Sequence, residues 1–450
     1  GDDDDEVFEA KQHEQAEIAV RFYQVRDVHR SHPLVVRQDV RIGLRVQREV
    51  VLPVVVLSAA LVLLALFWTF QFVHTVPALL RTPWLPAAGE PATAASVTVI
   101  VAAKDEQDAI VDTLRLLGAQ THPDLEIIAV DDRSTDDTRA RMQQAAAEIP
   151  QLRVLVIEDL PHGWLGKNHA IARAATLARG EWLLLTDADV RFAPDAVSRA
   201  VQFASEHGID HLVVAPKLRA PTFWLKSLIA FFILNFTLGF RPQYAANPRS
   251  KAFIGLGACN LVRRSVYEAV GTHAAIAMRP DEDLRLGERI KRAGFVQRFL
   301  PAKNFAEVQW YSSAADMIRG LEKNSLAIFR YSPLLLACSL IPYVYVYLAP
   351  FAALLFGRGE LLIVALWTLL AMAVTYATTQ RFTGYPAWLF VTTPISACVF
   401  AYALLRAAWL TTVRHGVYWR GTFYDIRQLA PSDGGHHRAA RDGDERPGDK

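Results

Sequence analysis

Cysteine is scarce in this chain. Three occur among 450 residues, Cys259, Cys338 and Cys398, far apart and without CxxC spacing. That excludes a disulfide framework and a cysteine zinc site, and leaves three buried thiols as the expectation. An excess of one charge is also missing. Lys plus Arg number 48 against 46 Asp plus Glu, a net charge of +2, so composition gives no case for nucleic acid as a partner. Charge is absent locally as well. No Asp, Glu, Lys or Arg lies between Glu49 and Arg81, from Tyr331 to Gly357, between Glu360 and Arg381, or between Arg381 and Arg406. Each run reaches the ~18–20 apolar residues that cross a bilayer core. The first begins too far from the N-terminus, behind the acidic Gly1–Glu6, to be a cleaved signal peptide.

Five zones follow from this unevenness. Residues 1–50 are charged, and Arg37, Arg41, Arg45 and Arg48 lead into the first apolar run as a membrane-surface segment. Residues 51–80 form one span. After a Pro- and Ala-rich link, residues 96–330 make one catalytic domain, and 332–413 hold about three more spans. Residues 414–450 form a tail that is expected to be disordered from about 430, where apolar residues nearly vanish.

The middle zone alternates two periodicities. Val97–Val101, Leu125–Val130, Leu152–Glu158, Glu181–Thr186 and His211–Ala215 are short apolar runs. Gln107–Gly118, Arg139–Ile149, Ala170–Leu177 and Pro194–Glu206 carry helical spacing between them. The βαβα order predicts an α/β fold with a mostly parallel sheet covered by helices, and ligands at the carboxyl ends of its strands.

Acidic residues stand where those strands should end. Asp105 and Glu106 follow the first, Asp131 and Asp132 the second, and Asp187-Ala188-Asp189 a later one. Any one set reads equally as a turn or helix cap. Three sets at one sheet edge crowd like charges, which is costly unless a cation or hydrogen-bond donors are shared. Strand alternation would point Asp187 and Asp189 the same way, and hard oxygen ligands suit Mg²⁺ or Mn²⁺ completed by substrate phosphates. Asp281-Glu282-Asp283 precedes a helical stretch, Leu284–Ala293, as either helix caps or a general base. Gly163-Trp164-Leu165-Gly166-Lys167-Asn168 is a glycine-bounded loop entering a helix, which suits a phosphate. Gly255-Leu256-Gly257 lacks the third glycine and the early position of a dinucleotide fingerprint.

Taken together, these motifs resemble family 2 glycosyltransferases of the GT-A fold. The stretch Gln120–Thr138, with Asp131-Asp132, is similar to that family's second strand and loop. Ala178-Arg179-Gly180-Glu181 before Asp187-Ala188-Asp189 is similar to its approach to the metal motif, and Glu282-Asp283 resembles its Glu-Asp pair. The resemblance covers about residues 96–330. It implies that Glu106 and Asp132 contact the nucleoside, that Asp131 and Lys167 support the site, that Asp187 and Asp189 hold a metal–diphosphate, and that Asp283 deprotonates the acceptor. Ala102 and Asp105 depart from the family's usual proline and asparagine, which leaves Asp105 without an implied role. The Gln-x-x-Arg-Trp motif of processive synthases is absent, which argues against repeated extension, and one base without a covalent intermediate implies inversion.

Gly163–Lys167, Gly320–Asn324 and Trp419-Arg420-Gly421 resemble hopene-associated and carotenoid-type glycosyltransferases. Arg319 and Lys323 would then neutralise the leaving diphosphate. The resemblance implies an integral protein of a bacterial inner membrane, its catalytic domain facing the cytoplasm, with a nucleotide-sugar donor and a lipid acceptor. Arg-rich flanks at both ends pull the other way, because with four spans they place that domain outside. Two other readings stand beside this one: a polyprenyl-phosphate sugar synthase, and a non-catalytic membrane scaffold. Within the catalytic zone, Phe223, Trp224 and Lys226 lead into an apolar run, Ser227–Phe240, which by its length is a core or interfacial helix rather than a span. Phe223, Trp224, Phe231 and Phe232 are the expected contacts for a lipid, most naturally a polyisoprenoid-derived one.

Overall fold

A computed structural model describes residues 52–87, 95–321, 329, 332–419 and 422–425. Residues 1–51, the tail from 426 and Lys323 lie outside the described residues, and so do the expectations attached to them. The chain divides into two units, Gly1–Leu66 and Phe67–Lys450, and helix α1 (Leu52–Arg81) runs through the boundary. The second unit holds all the candidate site residues.

Its sheet has seven strands in the order β3-β2-β1-β4-β8-β6-β9. These are β1 (Val97–Ala103), β2 (Leu125–Asp132), β3 (Leu152–Ile157), β4 (Trp182–Asp187), β6 (His211–Ala215), β8 (Asn260–Arg263) and β9 (Gln297–Pro301). All neighbouring pairs are parallel except β4–β8 and β8–β6. β1 is buried along almost its whole length, as expected of a strand covered on both faces. Successive residues serve opposite layers. Val97, Val99, Val101, Ile127 and Leu184 pack under helices α2 (Ile110–Gly118), α3 (Thr138–Glu148) and α5 (Ala196–Glu206). Ile100, Ile128, Leu183 and Leu185 pack under α4 (Gly166–Ala175), α7 (Arg264–Ala269) and α8 (Glu282–Arg292). The strand order reverses between β1 and β4, which opens a crevice at their carboxyl ends. A small sheet, β5 (Arg191–Phe192), β10 (Ala306–Val308) and β7 (Lys217–Leu218), flanks the main one.

Among the described residues, five helices are long and apolar enough to cross a membrane. Four overlap the uncharged runs: α1, α10 (Pro333–Phe356), α11 (Glu360–Thr379) and α12 (Thr393–Arg414), the last continuing past Arg406. The fifth is α6, Phe223–Phe240. The sequence suggests a 14-residue apolar run, but the helix has 18 residues, because Thr222 caps its N-terminus by accepting from the Leu225 N–H. Contacts hold the chain on either side of α6. Before it, Leu218 of β7 accepts from the Tyr385 hydroxyl at 2.8 Å. After it, Lys291 of α8 donates to the carbonyls of Ala245 (2.7 Å) and Asn247 (2.8 Å). Strands β6 and β8, on either side of it in the chain, pair with each other. Along its length α6 packs on the apolar helices α10, α11 and α12.

The packing of α6 corrects part of the lipid-contact expectation. Phe231 is fully buried, its ring against Tyr347 (4.8 Å) and Phe400 (5.4 Å) of α10 and α12. Burying such a ring contributes about 1.5–3 kcal/mol, so Phe231 joins α6 to the apolar helices and is closed to a ligand. Phe232 is half-buried against Trp310 and Phe400. Phe223 and Trp224 are exposed, at 43% and 47%. The cysteines need a correction too: Cys259 is buried, but Cys338 and Cys398 are exposed on α10 and α12. Those helices are apolar all round, so a thiol on them need not face a protein core.

Candidate active site

Two non-glycine residues at the carboxyl edge adopt left-handed backbone conformations, Asp105 (φ 54°) and Arg133 (φ 58°). Such strain persists only where neighbours over-determine it. Asp105 Oδ1 accepts from the Thr135 N–H (2.7 Å) and hydroxyl (3.1 Å), and the Ser134 hydroxyl accepts from the Asp105 N–H (3.1 Å). Asp105 therefore ties the loop after β1 to the loop after β2. Beside it, the Glu106 N–H donates to Thr138 Oγ1 at 2.8 Å. The Arg133 guanidinium forks onto its neighbour Asp132, at 2.8 and 3.1 Å. Asp131 is buried, and its Oδ1 has no hydrogen-bond partner among the described residues.

Helix α4 brings the next group. Its N-terminus approaches Asp132 so closely that a Cβ on Gly166 would lie 2.1 Å from Asp132 Oδ2. One residue on, Lys167 Nζ reaches Asp187 Oδ1 and Glu282 Oε1, each at 2.6 Å. Burial disfavours the lysine's charge, but Asp187, Glu282 and Asp283 together outweigh it and hold its pKa above the ordinary lysine value. The Asn168 amide donates to the carbonyls of Ile276 (2.9 Å), Ala277 (3.0 Å) and Arg279 (3.0 Å), and the Leu165 N–H donates to Ala277 O at 2.9 Å. These bonds fasten α4 to the loop that delivers residues 281–283. Asn168 stood in the loop motif, but nothing in its sequence context marked it as that fastener.

Within the acidic triplet the roles separate. Asp281 is paired with Arg279 (3.1 Å) and Arg285 (2.7 Å). Glu282 is buried on Lys167. Asp283 accepts from the Gly257 N–H (2.8 Å) and the Leu284 N–H (2.7 Å). Burial and then the neighbouring Glu282 charge raise the Asp283 carboxyl to about 7, against the opposing pull of Lys167. The two glycines set aside as a failed fingerprint have a different purpose. A Cβ on Gly255 would lie 1.8 Å from the Asp283 carbonyl oxygen, and one on Gly257 would lie 2.5 Å from Asp187 Oδ2. Glycine lets this segment pass against the Asp283 backbone and the Asp187 carboxylate.

Asp189 departs from the expected geometry. β4 ends at Asp187, and residues 188–189 turn, so strand alternation does not align the two aspartates. Among the described residues no three His, Cys, Asp or Glu side chains gather as a metal site. The carboxylates of Asp187 and Asp189 offer hard oxygen donors, too few for a closed shell, which fits a divalent cation that takes its other ligands from a diphosphate. Arg319 lies on α9 (Ala314–Gly320), its side chain 65% exposed and 4.0 Å from Asp316, a helix-surface pair. The structure thus brings Lys167, Asp187, Glu282 and Asp283 together, sets Asp131 and Asp132 beside them, and keeps Arg319 in its surface pair with Asp316.

An apolar cluster begins where this site ends. Leu165, two residues before Lys167, packs with Leu336 and Leu340 of α10 and Ala401 and Ala408 of α12, and Met278 joins them.

Comparison with known proteins bears on this arrangement. Residues 98–271 match the family model described as Glycosyl transferase family 2. A 4,4'-diaponeurosporenoate glycosyltransferase of Staphylococcus aureus is 26% identical over 196 residues, which is 43% of this chain and 50% of that protein. A beta-monoglucosyldiacylglycerol synthase of Nostoc sp. is 26% identical over 210 residues, 46% of this chain and 44% of that protein. This chain thus spans about half the length of the curated relatives it matches. Among solved structures, the mannosyltransferase PcManGT from Pyrobaculum calidifontis, in complex with GDP-Man and Mn²⁺, aligns with a TM-score of 0.48 at 22% identity, over 80% of this chain and 98% of that one. The mostly parallel sheet, the acidic groups at its carboxyl edge and the family match agree: residues 98–271 form a family 2 glycosyltransferase domain.

Proposed function

We propose that the chain transfers a sugar from a nucleoside-diphosphate sugar to the hydroxyl or carboxyl of a lipid. One observation carries the reading: the Lys167–Asp187–Glu282–Asp283 cluster, with Glu282 buried and the other three half-buried, lies beside membrane-type helices through Leu165 and Met278. A lipid headgroup can reach such a site while its tail stays out of water. The names of the two relatives, a diaponeurosporenoate glycosyltransferase and a glucosyldiacylglycerol synthase, support this acceptor class.

In this mechanism the donor lies across the β1–β4 crevice, its nucleoside toward Glu106, Asp131 and Asp132 and its diphosphate toward Asp187 and Lys167. Asp283 takes the acceptor proton while the acceptor oxygen attacks the anomeric carbon from the face opposite the diphosphate. The carbon–oxygen bond to the acceptor forms as the bond to the diphosphate breaks. A single displacement inverts the anomeric centre. An aspartate with a pKa near the operating pH suits the base role, and the Lys167 cation offsets charge on the leaving group. Asp187 and Asp189 would hold Mg²⁺ or Mn²⁺, which supplies further charge neutralisation at the diphosphate. The α/β body would face the cytoplasm, where nucleotide sugars are made.

The test is incubation of the full chain, in membranes or detergent, with labelled nucleotide sugars and either a polyisoprenoid alcohol or acid, a polyprenyl phosphate, or diacylglycerol. A glycosylated lipid identified by mass spectrometry is the expected product. Transfer to a soluble sugar in preference to every lipid would overturn the acceptor assignment. No turnover of any donor would favour a scaffold.

A further inference from the structure

Behind the base lies a buried polar chain that the proposed mechanism does not use. His211, Asn260 and Gln297 are each no more than 1% exposed and sit on the adjacent strands β6, β8 and β9. His211 Nε2 bonds Asn260 Oδ1, and Gln297 Nε2 bonds His211 Nδ1 at 2.7 Å. The Gln297 amide oxygen accepts from the Ile254 N–H at 2.9 Å. That orientation makes its nitrogen the donor, so His211 Nδ1 accepts and Nε2 carries the proton to Asn260. Burial pushes the His211 pKa down to about 4, consistent with this neutral tautomer. The second N–H of that nitrogen is shared between the carbonyls of Gly287 (3.0 Å) and Ile254 (3.2 Å).

Ile254 and Gly287 are the points where two catalytic segments touch. Gly287 is in α8, the helix that begins with Glu282 and Asp283. A Cβ on Gly287 would lie 1.8 Å from Ile254 O, so segment and helix are in direct backbone contact. Three residues beyond Ile254, the Gly257 N–H holds Asp283 Oδ2 at 2.8 Å. Gln297 therefore binds both sides of the joint that sets where Asp283 points.

We infer that Gln297, oriented by His211 and Asn260, is a positioning residue that fixes the 254–257 segment against α8 and so aims the Asp283 carboxylate. The inference rests on the base role proposed for Asp283. Unlike a cap or a salt bridge, the amide accepts from the Ile254 N–H and shares one N–H between the Ile254 and Gly287 carbonyls. No apolar residue can reproduce that.

The experiment compares wild type, Gln297→Leu, His211→Phe and Asp283→Asn, with the double variant Gln297→Leu/Asp283→Asn, in the full chain. Gln297→Leu is expected to lower kcat about 10- to 100-fold with the KM for the nucleotide sugar unchanged, the scale of a misplaced reacting group. His211→Phe leaves the Ile254 contacts in place, and its kcat should fall less. In the Asp283→Asn background, Gln297→Leu should change the residual rate by less than about twofold, because there is no longer a base to aim. An equal loss in both backgrounds, or a raised donor KM with unchanged kcat, would overturn the positioning role. If Gln297→Leu fails to fold, His211→Phe decides by the same cycle. A wild type that turns over no donor speaks against the proposed function; an active wild type with an unaffected Gln297→Leu speaks against the positioning role alone.

Discussion

Replacing Asp283 by Asn tests the chemistry most directly. The substitution keeps the volume and removes the proton acceptor. It also turns one of two acceptor oxygens into an amide donor that must face either the Gly257 or the Leu284 N–H. The loss of a general base costs ~10²–10⁴-fold in rate, so kcat should fall by that factor while nucleotide affinity stays near wild type. The wild-type pH dependence adds a second handle. Only the carboxylate form accepts a proton, and burial raises this carboxyl to about 7. The acid limb of kcat/KM should therefore lie near pH 7, not near the 3.8 of a free aspartate. One pH unit below the pKa, about a tenth of the groups are ionised, so kcat/KM at pH 6 should be roughly a tenth of its plateau value. In Asp283→Asn that limb should disappear from the residual rate. The assay is initial-rate transfer of labelled sugar to lipid from about pH 5.5 to 9, a range that brackets this limb, alongside nucleotide binding by calorimetry. Wild-type kcat in Asp283→Asn, or an acid limb that survives the substitution, would refute the base assignment. Lost nucleotide affinity with normal turnover would assign Asp283 to donor binding.

Asp187→Asn and Asp189→Asn should each abolish transfer and leave the melting temperature within a few degrees; wild-type turnover by Asp189→Asn in chelator-treated samples would remove the metal reading. Lys167→Met leaves the buried Glu282 without its cation; breaking a fully buried pair typically costs about 3–5 kcal/mol, and solvent around Lys167 and Asp187 lowers that here, so thermal unfolding should show a smaller but clear destabilisation together with lost activity. Gly257→Ala places a methyl group 2.5 Å from the Asp187 carboxylate and should lower kcat in a protein that still folds, as read by circular dichroism and rate. Charged residues at the exposed Phe223 and Trp224 should raise the KM for lipid and spare nucleotide-sugar hydrolysis. Phe231→Asp, at a buried ring, should instead destabilise the protein, and a stable Phe231→Asp variant with altered lipid KM alone would reverse that distinction.

Local physics made much of this protein legible from its sequence. Period-2 apolar runs and helical spacing set β1 to β4, β6 and the helices between them within a few residues, because short-range sterics and burial of one face determine such elements. Asp131, Asp132 and Asp187 sit at strand ends because those runs stop there. The uncharged stretches foreshadow α1, α10, α11 and most of α12 for the same reason: composition over a helix length needs no distant partner. Tertiary contact decided the rest. Strand β8 runs antiparallel between β4 and β6, and its short sequence shows neither periodicity strongly. Asp105 became a loop tie only when β1 and β2 set it beside Thr135. Asp189 fell in a turn, past the alternation that would have aligned it with Asp187. Helix α6 has the composition of a span, and only the fold shows that it packs on α10, α11 and α12 while the strands on either side of it, β6 and β8, pair with each other. Lys167, Gly257 and Asp283 are dozens of residues apart in the chain, and the pKa of Asp283 arises from burial and from charges that only the folded backbone brings together. Residue types announce what chemistry a side chain can perform; its proton affinity and its aim depend on neighbours that no local window contains.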